Sequence, residues 1–470
     1  MTDETTVPAG WGNLFQRAYL PKVIVACLAV WLHAADEMVI TTLMASVIGD
    51  IGGADRVFWN FTLYETGSVV ASATGALMAL RYGLGRVMAA GALTYGAGCV
   101  LAAIAPAMEV MLAGRLLQGL GGGLMVALAF MLVARELPKT LVARALAAIS
   151  VFWGASAFVG PLIGGLFAEI GFWRGAFWLF AAKAIILAAL IPAVLGDGGR
   201  RPRDAVVAGR PPYVRLALLA LGVTAVASAG IDPAPLRSIA LLATGIGLVA
   251  LFLLRDAASA GARMLPADLF RRKTTTQPGL ILLFLFSILL VPLSAYGPVL
   301  MIGLHGISAL EAGYVIATVS FGWSGATILL SGLPPRYEIP VIGGGFVLVA
   351  LAVPALALVL GSGPVWVIAL VGALDGAGFG MAWTYLMKRM TENQDAAEGN
   401  RIAGAMSTIS RMGYALGAGL TGLAANLAGF ADVMDPTTAR SVAFWIFAAL
   451  VPVALGGLSA LALFVVRSRA

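Results

Sequence analysis

The chain has 470 residues, of which 60% are hydrophobic and 11% are charged, and its mean hydropathy is +0.95. Soluble domains have roughly 45–50% apolar and about 25% charged residues, so this composition excludes a soluble globular protein. The two cysteines, Cys27 and Cys99, both lie in apolar runs, which excludes a disulfide framework and a thiol metal cluster. We therefore expect no metal and no cofactor.

Apolar runs long enough to cross a bilayer recur along the whole sequence, where about 20 residues suffice for one helix. The polar stretch Met1–Pro21 leads directly into the first run, so we predict no cleaved signal. The pattern predicts an all-α integral membrane protein with fourteen transmembrane helices, at residues 23–47, 58–80, 87–106, 110–134, 143–168, 175–195, 213–231, 236–254, 276–303, 309–332, 340–361, 364–387, 403–428 and 441–466.

The distribution of basic residues predicts the orientation of these helices. If both termini are cytoplasmic, 23 of the 30 lysines and arginines lie on the inside, and three lie within spans. Only four lie outside: Arg56, Arg174, Arg237 and Arg440. This asymmetry satisfies the positive-inside rule. The net charge of +7 is thus a topology signal, and we expect no nucleic-acid partner.

Two connections rich in proline, glycine and arginine divide the spans as 6+2+6. They predict an N-terminal six-helix bundle at residues 1–199, a linker with two extra helices at 200–274, and a C-terminal six-helix bundle at 275–470. LLQGLGGGLMV in span 4 and ALDGAGFGMAW in span 12 share glycines in register, with Gln118 opposite Asp375. Repeated six-helix halves are typical of transporters, whose substrate site lies near the midplane between the repeats.

Asp36 and Glu37 stand side by side in the first span, one turn after His33. Asp36 follows Lys22 by fourteen residues, which is about 21 Å of helix and hence mid-bilayer. An ionised carboxylate there costs about 2.5–3.5 kcal/mol, so both acids are expected to face a cavity or a partner. Two hypotheses remain open at this point. Either one acid pairs permanently with Arg115, or the pair binds and releases a proton, with His33 in bonding distance of both.

Four more charged residues lie within predicted spans and also require partners. Glu65 is expected to pair with a neighbouring helix near the outer end of span 2, or to take part in protonation or substrate attraction. Asp375 lies near the midplane, and we expect it to line the cavity or to pair with Lys183 or Arg411. Aromatic and methionine side chains of spans 1, 4, 9 and 12 are candidates for the lining of an apolar substrate pocket.

Several motifs resemble the major facilitator superfamily, and specifically its fourteen-helix drug:proton antiporter branch of the EmrB/QacA type. LAGRLLQGLGGG looks like the family's motif with an embedded arginine, here Arg115, followed by Gln118. AADEMVITTLM and FWRGAFW are similar to family motifs in spans 1 and 6, and Arg411 resembles an arginine that the branch carries in span 13. GASAFVGPLIGG looks like the antiporter motif, with Gly154, Gly160, Pro161 and Gly164. The loop GALMALRYGLGR departs from the family because it lacks the usual aspartate.

The resemblance implies a proton-coupled secondary transporter that exports lipophilic, cationic drugs by alternating access. From the motif positions Asp36 and Arg115 together with the other acids within the spans, we expect a proton-coupling and substrate site that comprises Asp36, Glu37, Glu65, Arg115 and Asp375. An alternative is export of a specific metabolite, siderophore or lipid on the same fold. We do not expect an enzyme, because His33 and His305 are far apart and no nucleophile–base or metal grouping is present. We expect the chain to function as a monomer in a bacterial-type inner membrane, with a small molecule and protons as partners, and we expect Asp36→Asn or Glu37→Gln to abolish coupling without affecting expression.

Overall fold

The computed structural model describes residues 10–53, 57–196, 213–229, 234–259, 263–266, 269, 274–392, 396–430 and 435–469. In these ranges the chain folds into helices joined by short connections, and a 3-10 turn at Pro335–Tyr337 precedes one of them. The helices are α1 (Trp11–Leu14), α2 (Leu20–Ile51), α3 (Val57–Tyr82), α4 (Leu84–Ala103), α5 (Met108–Glu136), α6 (Lys139–Glu169), α7 (Trp173–Leu195), α8 (Tyr213–Ala229), α9 (Pro235–Ala257), α10 (Thr276–Leu289), α11 (Val291–His305), α12 (Ala309–Leu330), α13 (Glu338–Val359), α14 (Val365–Thr391), α15 (Ala396–Leu427), α16 (Pro436–Ala448) and α17 (Val451–Arg469).

Helices lie at each of the fourteen predicted positions, with α10 and α11 covering one position and α16 and α17 another. Eleven helical segments of the described ranges are long and apolar enough to cross a membrane. Three positions fall outside this set: α8, which has 17 residues, and α3 and α15. The last two carry many small polar side chains and, as described below, contribute charged residues to the interior.

Glycines at matching positions of α5 and α14 let neighbouring helices approach closely. Backbone atoms of Tyr64 on α3 lie where a Cβ of Gly119 would stand, and Val319 on α12 stands in the same relation to Gly376. Likewise α4 approaches α5 at Gly121, and α13 approaches α14 at Gly378. Small residues at such contacts allow close backbone packing of membrane helices. The sequence echo therefore marks two positions that have the same packing role in each half of the chain.

The helices pack mainly within two groups, which we call the first bundle (α2–α7) and the second bundle (α10–α17). The bundles meet where α12 lies on α6 and where α15 lies on α3 and α5. The hydroxyl of Ser324 donates to the carbonyl of Ser150 at 2.5 Å, and that of Ser407 donates to Ser72 at 3.4 Å. Small polar side chains thus join the bundles without charges at these points.

The helix pair α8–α9 packs on the seam between the two bundles, where α8 contacts both α3 and α15. Thr224 of α8 and Thr66 of α3 share a hydrogen bond of 3.1 Å. A buried ion pair between Arg215 and Asp256 joins α8 to α9 at 2.5 Å, and Asp256 also accepts from the backbone N–H of Leu265. The pair is therefore a fixed unit that lies against both bundles.

The FWRGAFW motif holds the end of α2 against the start of α7. Asp50 accepts hydrogen bonds from Trp173 at 3.1 Å and from Arg174, which also donates to the carbonyl of Ala105 at 2.9 Å. The Arg174 and Trp173 hydrogen bonds hold the pKa of Asp50, which lies beyond the apolar part of α2, below its ordinary value of 3.8. This contact fixes the end of the helix that carries the central acids.

Candidate functional site

Asp36 and Arg115 form a buried ion pair between α2 and α5. Nη1 of Arg115 donates to Asp36 Oδ2 at 2.5 Å and to Gln118 Oε1 at 2.8 Å. Only 2% of the Asp36 side chain and none of the Arg115 side chain is exposed. The guanidinium also lies 4.2 Å from the centre of the Tyr64 ring, a cation–π contact. Arg115 is thus held by three side chains of the first bundle.

Glu37 and Glu65 share one guanidinium that comes from the second bundle. Nη1 of Arg411 on α15 donates to Glu37 Oε1 at 2.8 Å and to Glu65 Oε1 at 2.7 Å. About a fifth of each carboxylate side chain is exposed, 20% for Glu37 and 23% for Glu65, whereas that of Arg411 is 7% exposed. Two carboxylates against one guanidinium leave one negative charge unbalanced when both acids are ionised. The sequence did not predict this bridge between the bundles.

His33 links the Arg411 cluster to the Arg115 pair. Nη2 of Arg411 donates to His33 Nε2, because a guanidinium has no acceptor. In the neutral ring the proton must therefore lie on Nδ1, which donates to the hydroxyl of Tyr64 at 2.7 Å. The Tyr64 hydroxyl in turn donates to the His33 carbonyl at 3.2 Å. The same Nε2 lies 3.1 Å from Glu37, so His33 would bond Glu37 only after gaining a proton and losing Arg411.

Asp375 lies apart from both clusters, on α14, and is 1% exposed. Its Oδ1 has no hydrogen-bond partner among the described residues. Neither Lys183 nor Arg411, the two cations considered from the sequence, pairs with it. The ammonium of Lys183 instead lies 4.2 Å from the centre of the Trp31 ring. Asp375 therefore shares neither the cations nor the hydrogen bonds of the first-bundle acids.

A small aromatic cavity lies between the bundles next to Arg411. Its volume is about 30 Å³, room for about one water molecule, so this conformation is nearly closed at the centre. Within its wall, the ring centres of Trp153 and Trp323 are 5.5 Å apart and stacked, and Trp383 stacks at the same distance on Phe379, which is not part of the wall. The cavity wall thus combines aromatic faces with the edge of the charged cluster.

The glycines of the predicted antiporter motif face two different helices. Gly160 and Gly164 on α6 pack against α2, near Met38 and Thr42, whereas Gly154 packs against Ser324 on α12. Pro161, which follows Gly160, lies inside α6 and removes one helical hydrogen bond. The motif therefore brings α6 against both the acid-bearing helix and the second bundle.

We expect Gly164→Ala to lower stability and transport together. The new Cβ would overlap the Thr42 hydroxyl and lie 2.9 Å from the Val39 carbonyl, and overpacking of this kind costs about 1–3 kcal/mol. The matched control is Gly165→Ala, because nothing lies within 4 Å of a Cβ at that neighbouring position. Thermal unfolding in detergent checks both variants, and equal melting temperatures would contradict close α2–α6 packing.

Tyr64 was not among the site residues predicted from the sequence, although it contacts Arg115 through its ring and His33 through its hydroxyl. The signal was available, since Tyr64 directly precedes Glu65 in the YET triplet of a predicted span. A buried tyrosine hydroxyl requires a partner, and a neighbouring acid is a reason to search for one. The sequence alone did not show that this ring faces α2 and α5.

A polytopic helical bundle with an internal repeat and charged groups in its interior is the architecture of a membrane transporter. Residues 26–418 match the Major Facilitator Superfamily, and the chain belongs to this family. It is therefore a multi-pass membrane transporter of small molecules and not an enzyme.

The chain is similar to proteins described as probable multidrug-efflux transporters in two strains of Mycobacterium tuberculosis. They are 32% identical over 441 residues, which cover 91% of this chain and 92% of each relative. The multidrug transporter protein MdtP of Bacillus subtilis is 27% identical over 338 residues, 68% of this chain and 61% of that protein. The crystal structure of the human organic anion transporter MFSD10 matches with a TM-score of 0.64 and 18% identity. The match covers 95% of this chain and 100% of that one, and the likeness concerns the fold alone.

Proposed function

We propose that the chain is a proton-coupled antiporter that exports lipophilic, cationic small molecules by alternating access. The proposal is supported most directly by the Arg411 cluster, in which two acids of the first bundle share one cation of the second. Because the bridge joins the two bundles, any motion that separates them there removes the cation that these acids share. Once Arg411 has withdrawn, the two acids bind a cationic substrate in its place, since buried carboxylates are costly without a partner.

The charge count suggests a transport cycle. With the bundles together, Arg411 neutralises one acid of the pair and a proton from outside neutralises the other. When the bundles separate toward the cytoplasm, Arg411 withdraws and the proton leaves to the inside. The two acids then accept a cationic substrate. Closing the bundles returns Arg411, displaces the substrate outward and admits the next proton.

We assign the chain to the fourteen-helix EmrB/QacA-like branch, with both termini in the cytoplasm. Helical segments at all fourteen predicted positions, the α8–α9 pair and the positive-inside asymmetry support this assignment. The domains would be residues 1–199, 200–274 and 275–470. The description of bacterial relatives as multidrug transporters supports a multidrug exporter of the bacterial inner membrane. We expect the protein to act as a monomer.

Within this proposal the residues have different roles. Glu37 and Glu65 bind the proton and the substrate, and His33 connects the Arg411 cluster to the Arg115 pair. Asp36, Arg115 and Gln118 hold α2 against α5. Asp375 is a candidate substrate-binding acid of the second bundle, although it lies outside the wall of the aromatic cavity in this conformation, while Lys183 packs on Trp31. Gly160, Pro161 and Gly164 set the packing of α6 on α2, and Gly154 sets the approach of α6 to α12 of the second bundle.

Everted membrane vesicles with an acidification-sensitive dye test the function. A panel of lipophilic cations, neutral drugs, siderophores and lipids is added after a proton gradient is formed. We expect lipophilic cations to dissipate the gradient and to accumulate in the vesicles, with no response in vesicles that lack the protein. Dissipation by a siderophore or lipid alone would favour the specific exporter instead, and accumulation unaffected by an uncoupler would contradict proton coupling.

A further inference from the structure

We propose that Glu37, Glu65 and His33 form a receptor for amidinium and guanidinium groups, and that Arg411 occupies this receptor as a tethered competitor of the substrate. The proposal rests on the proposed function, because it names the substrate class of the same site. It concerns recognition by N–H donors, whereas the proposed function requires only a positive charge.

The contacts of Arg411 define the geometry that the receptor accepts. Nη1 uses both of its hydrogens, one on Glu37 Oε1 and one on Glu65 Oε1, while Nη2 donates to His33 Nε2. All three acceptors belong to α2 and α3, so the first bundle presents them as one unit. A planar group with two nitrogens on one carbon meets them with the same three bonds, and such charge-assisted bonds are the strong ones. An ammonium without N–H groups makes none of them.

One acceptor of this receptor remains vacant. Glu65 Oε2 is buried and has no hydrogen-bond partner among the described residues, although the other oxygen binds Arg411. Once the proton of the closed state has left, a free amidinium or guanidinium, which has more N–H groups than the three that Arg411 uses here, can also satisfy this oxygen. A substrate of this class would therefore complete the hydrogen bonding that Arg411 leaves incomplete.

The surroundings favour a flat, aromatic body attached to the cation. Arg411 lies in the wall of the aromatic cavity together with Trp153 and Tyr414. The Trp153 ring stands edge-on to His33, with their ring centres 6.5 Å apart. When Arg411 withdraws, the space next to the three acceptors is bounded by aromatic faces that suit stacking. We therefore assign aromatic amidines and guanidines as the preferred class.

Chemical rescue tests the receptor without transport. Arg411→Gly vacates the site, and ethylguanidinium is then added to the purified full-length variant in detergent. We expect it to raise the melting temperature with a half-effective concentration about tenfold lower than that of ethyltrimethylammonium, which has the same charge but no N–H group. Arg401→Gly on the same helix, which removes a pair with Glu398 at 3.1 Å, is the matched control and should show no such preference. Adding Glu65→Leu to Arg411→Gly removes one of the three acceptors and should reduce the preference.

Equal effects of the two cations on Arg411→Gly would overturn the proposal. If this variant does not fold, inhibition of wild-type efflux in everted vesicles tests the proposal instead. There benzamidinium should inhibit efflux at about tenfold lower concentration than phenyltrimethylammonium, and equal inhibition would overturn the proposal. Proton-coupled efflux without this selectivity would contradict the proposed receptor but not the proposed function. Selective rescue without proton-coupled efflux would contradict the proposed function but not the proposed receptor.

Discussion

Glu65→Gln is expected to abolish proton-driven efflux while the protein stays folded. Glutamine keeps an oxygen that can accept from Arg411, at present 2.7 Å from Glu65, but it cannot bind or release a proton. The remaining Glu37–Arg411 pair is then balanced in charge, so no proton is needed when the bundles meet. In the wild type we expect protonation to change the substrate affinity by about 5–150-fold, the usual range of coupling between two sites. In Glu65→Gln this dependence of affinity on pH should disappear.

Substrate accumulation driven by an imposed proton gradient in proteoliposomes measures this loss. Downhill exchange of substrate for substrate should persist with a weaker affinity, because Glu37 remains to bind the cation. Glu392→Gln is the matched control, as it makes the same change at an exposed residue 45% open to solvent, near Arg389. Full proton-driven accumulation by Glu65→Gln would rule out this acid as the proton site.

Asp36→Asn is expected to lower the stability of the whole protein by about 3–5 kcal/mol, because it leaves the buried Arg115 charge without its acid. The sequence predicted loss of coupling with intact expression at this position. The buried geometry instead leads us to expect a reduced yield of folded protein. Unfolding in denaturant compares the variant with wild type.

Two further variants separate charge from packing at this pair. Asp36→Asn combined with Arg115→Met removes both charges and should recover most of the lost stability, since a missing pair costs less than an unpaired charge. Glu136→Gln breaks the half-buried pair with Lys22 and should cost about 0–1 kcal/mol, as for exposed pairs. A loss at Asp36 no larger than that at Glu136 would contradict the structural role of the Asp36–Arg115 pair.

The positions of the helices could be predicted from the sequence because a spanning helix needs a long apolar run, and such runs are visible without tertiary information. The packing glycines of α5 and α14 were visible for a related reason. Their register repeats, and a repeat preserves which face of a helix meets its neighbour. Gly119 and Gly376 accordingly meet equivalent helices, α3 and α12.

The pairing of charges could not be predicted in the same way. Glu65 and Arg411 are 346 residues apart, and their contact depends on how α3 and α15 meet across the two bundles. A helix pattern gives the face of a residue but not the rotation and height of a helix in another bundle. For Asp36 a partner on α5 was one of two hypotheses. For Asp375, neither proposed cation is its partner.

The separation of roles between the two neighbouring acids follows from helix geometry. Successive residues of a helix point about 100° apart, so Asp36 and Glu37 cannot face the same neighbour. Asp36 faces α5 and Arg115, whereas Glu37 faces α15 and Arg411. One acid therefore serves the first bundle alone, and the other joins the two bundles. Of these two acids, only Glu37 loses its partner when the bundles separate.

The count of protons released when a substrate binds tests this account most directly. Purified protein in weakly buffered detergent solution, near neutral pH, is titrated with a transported lipophilic cation while a pH indicator is monitored. We expect the release of about one proton per bound substrate in the wild type, because the cation takes the place of both Arg411 and the proton at the two acids, and none in Glu65→Gln. Substrate binding without proton release, and with an affinity independent of pH, would contradict it.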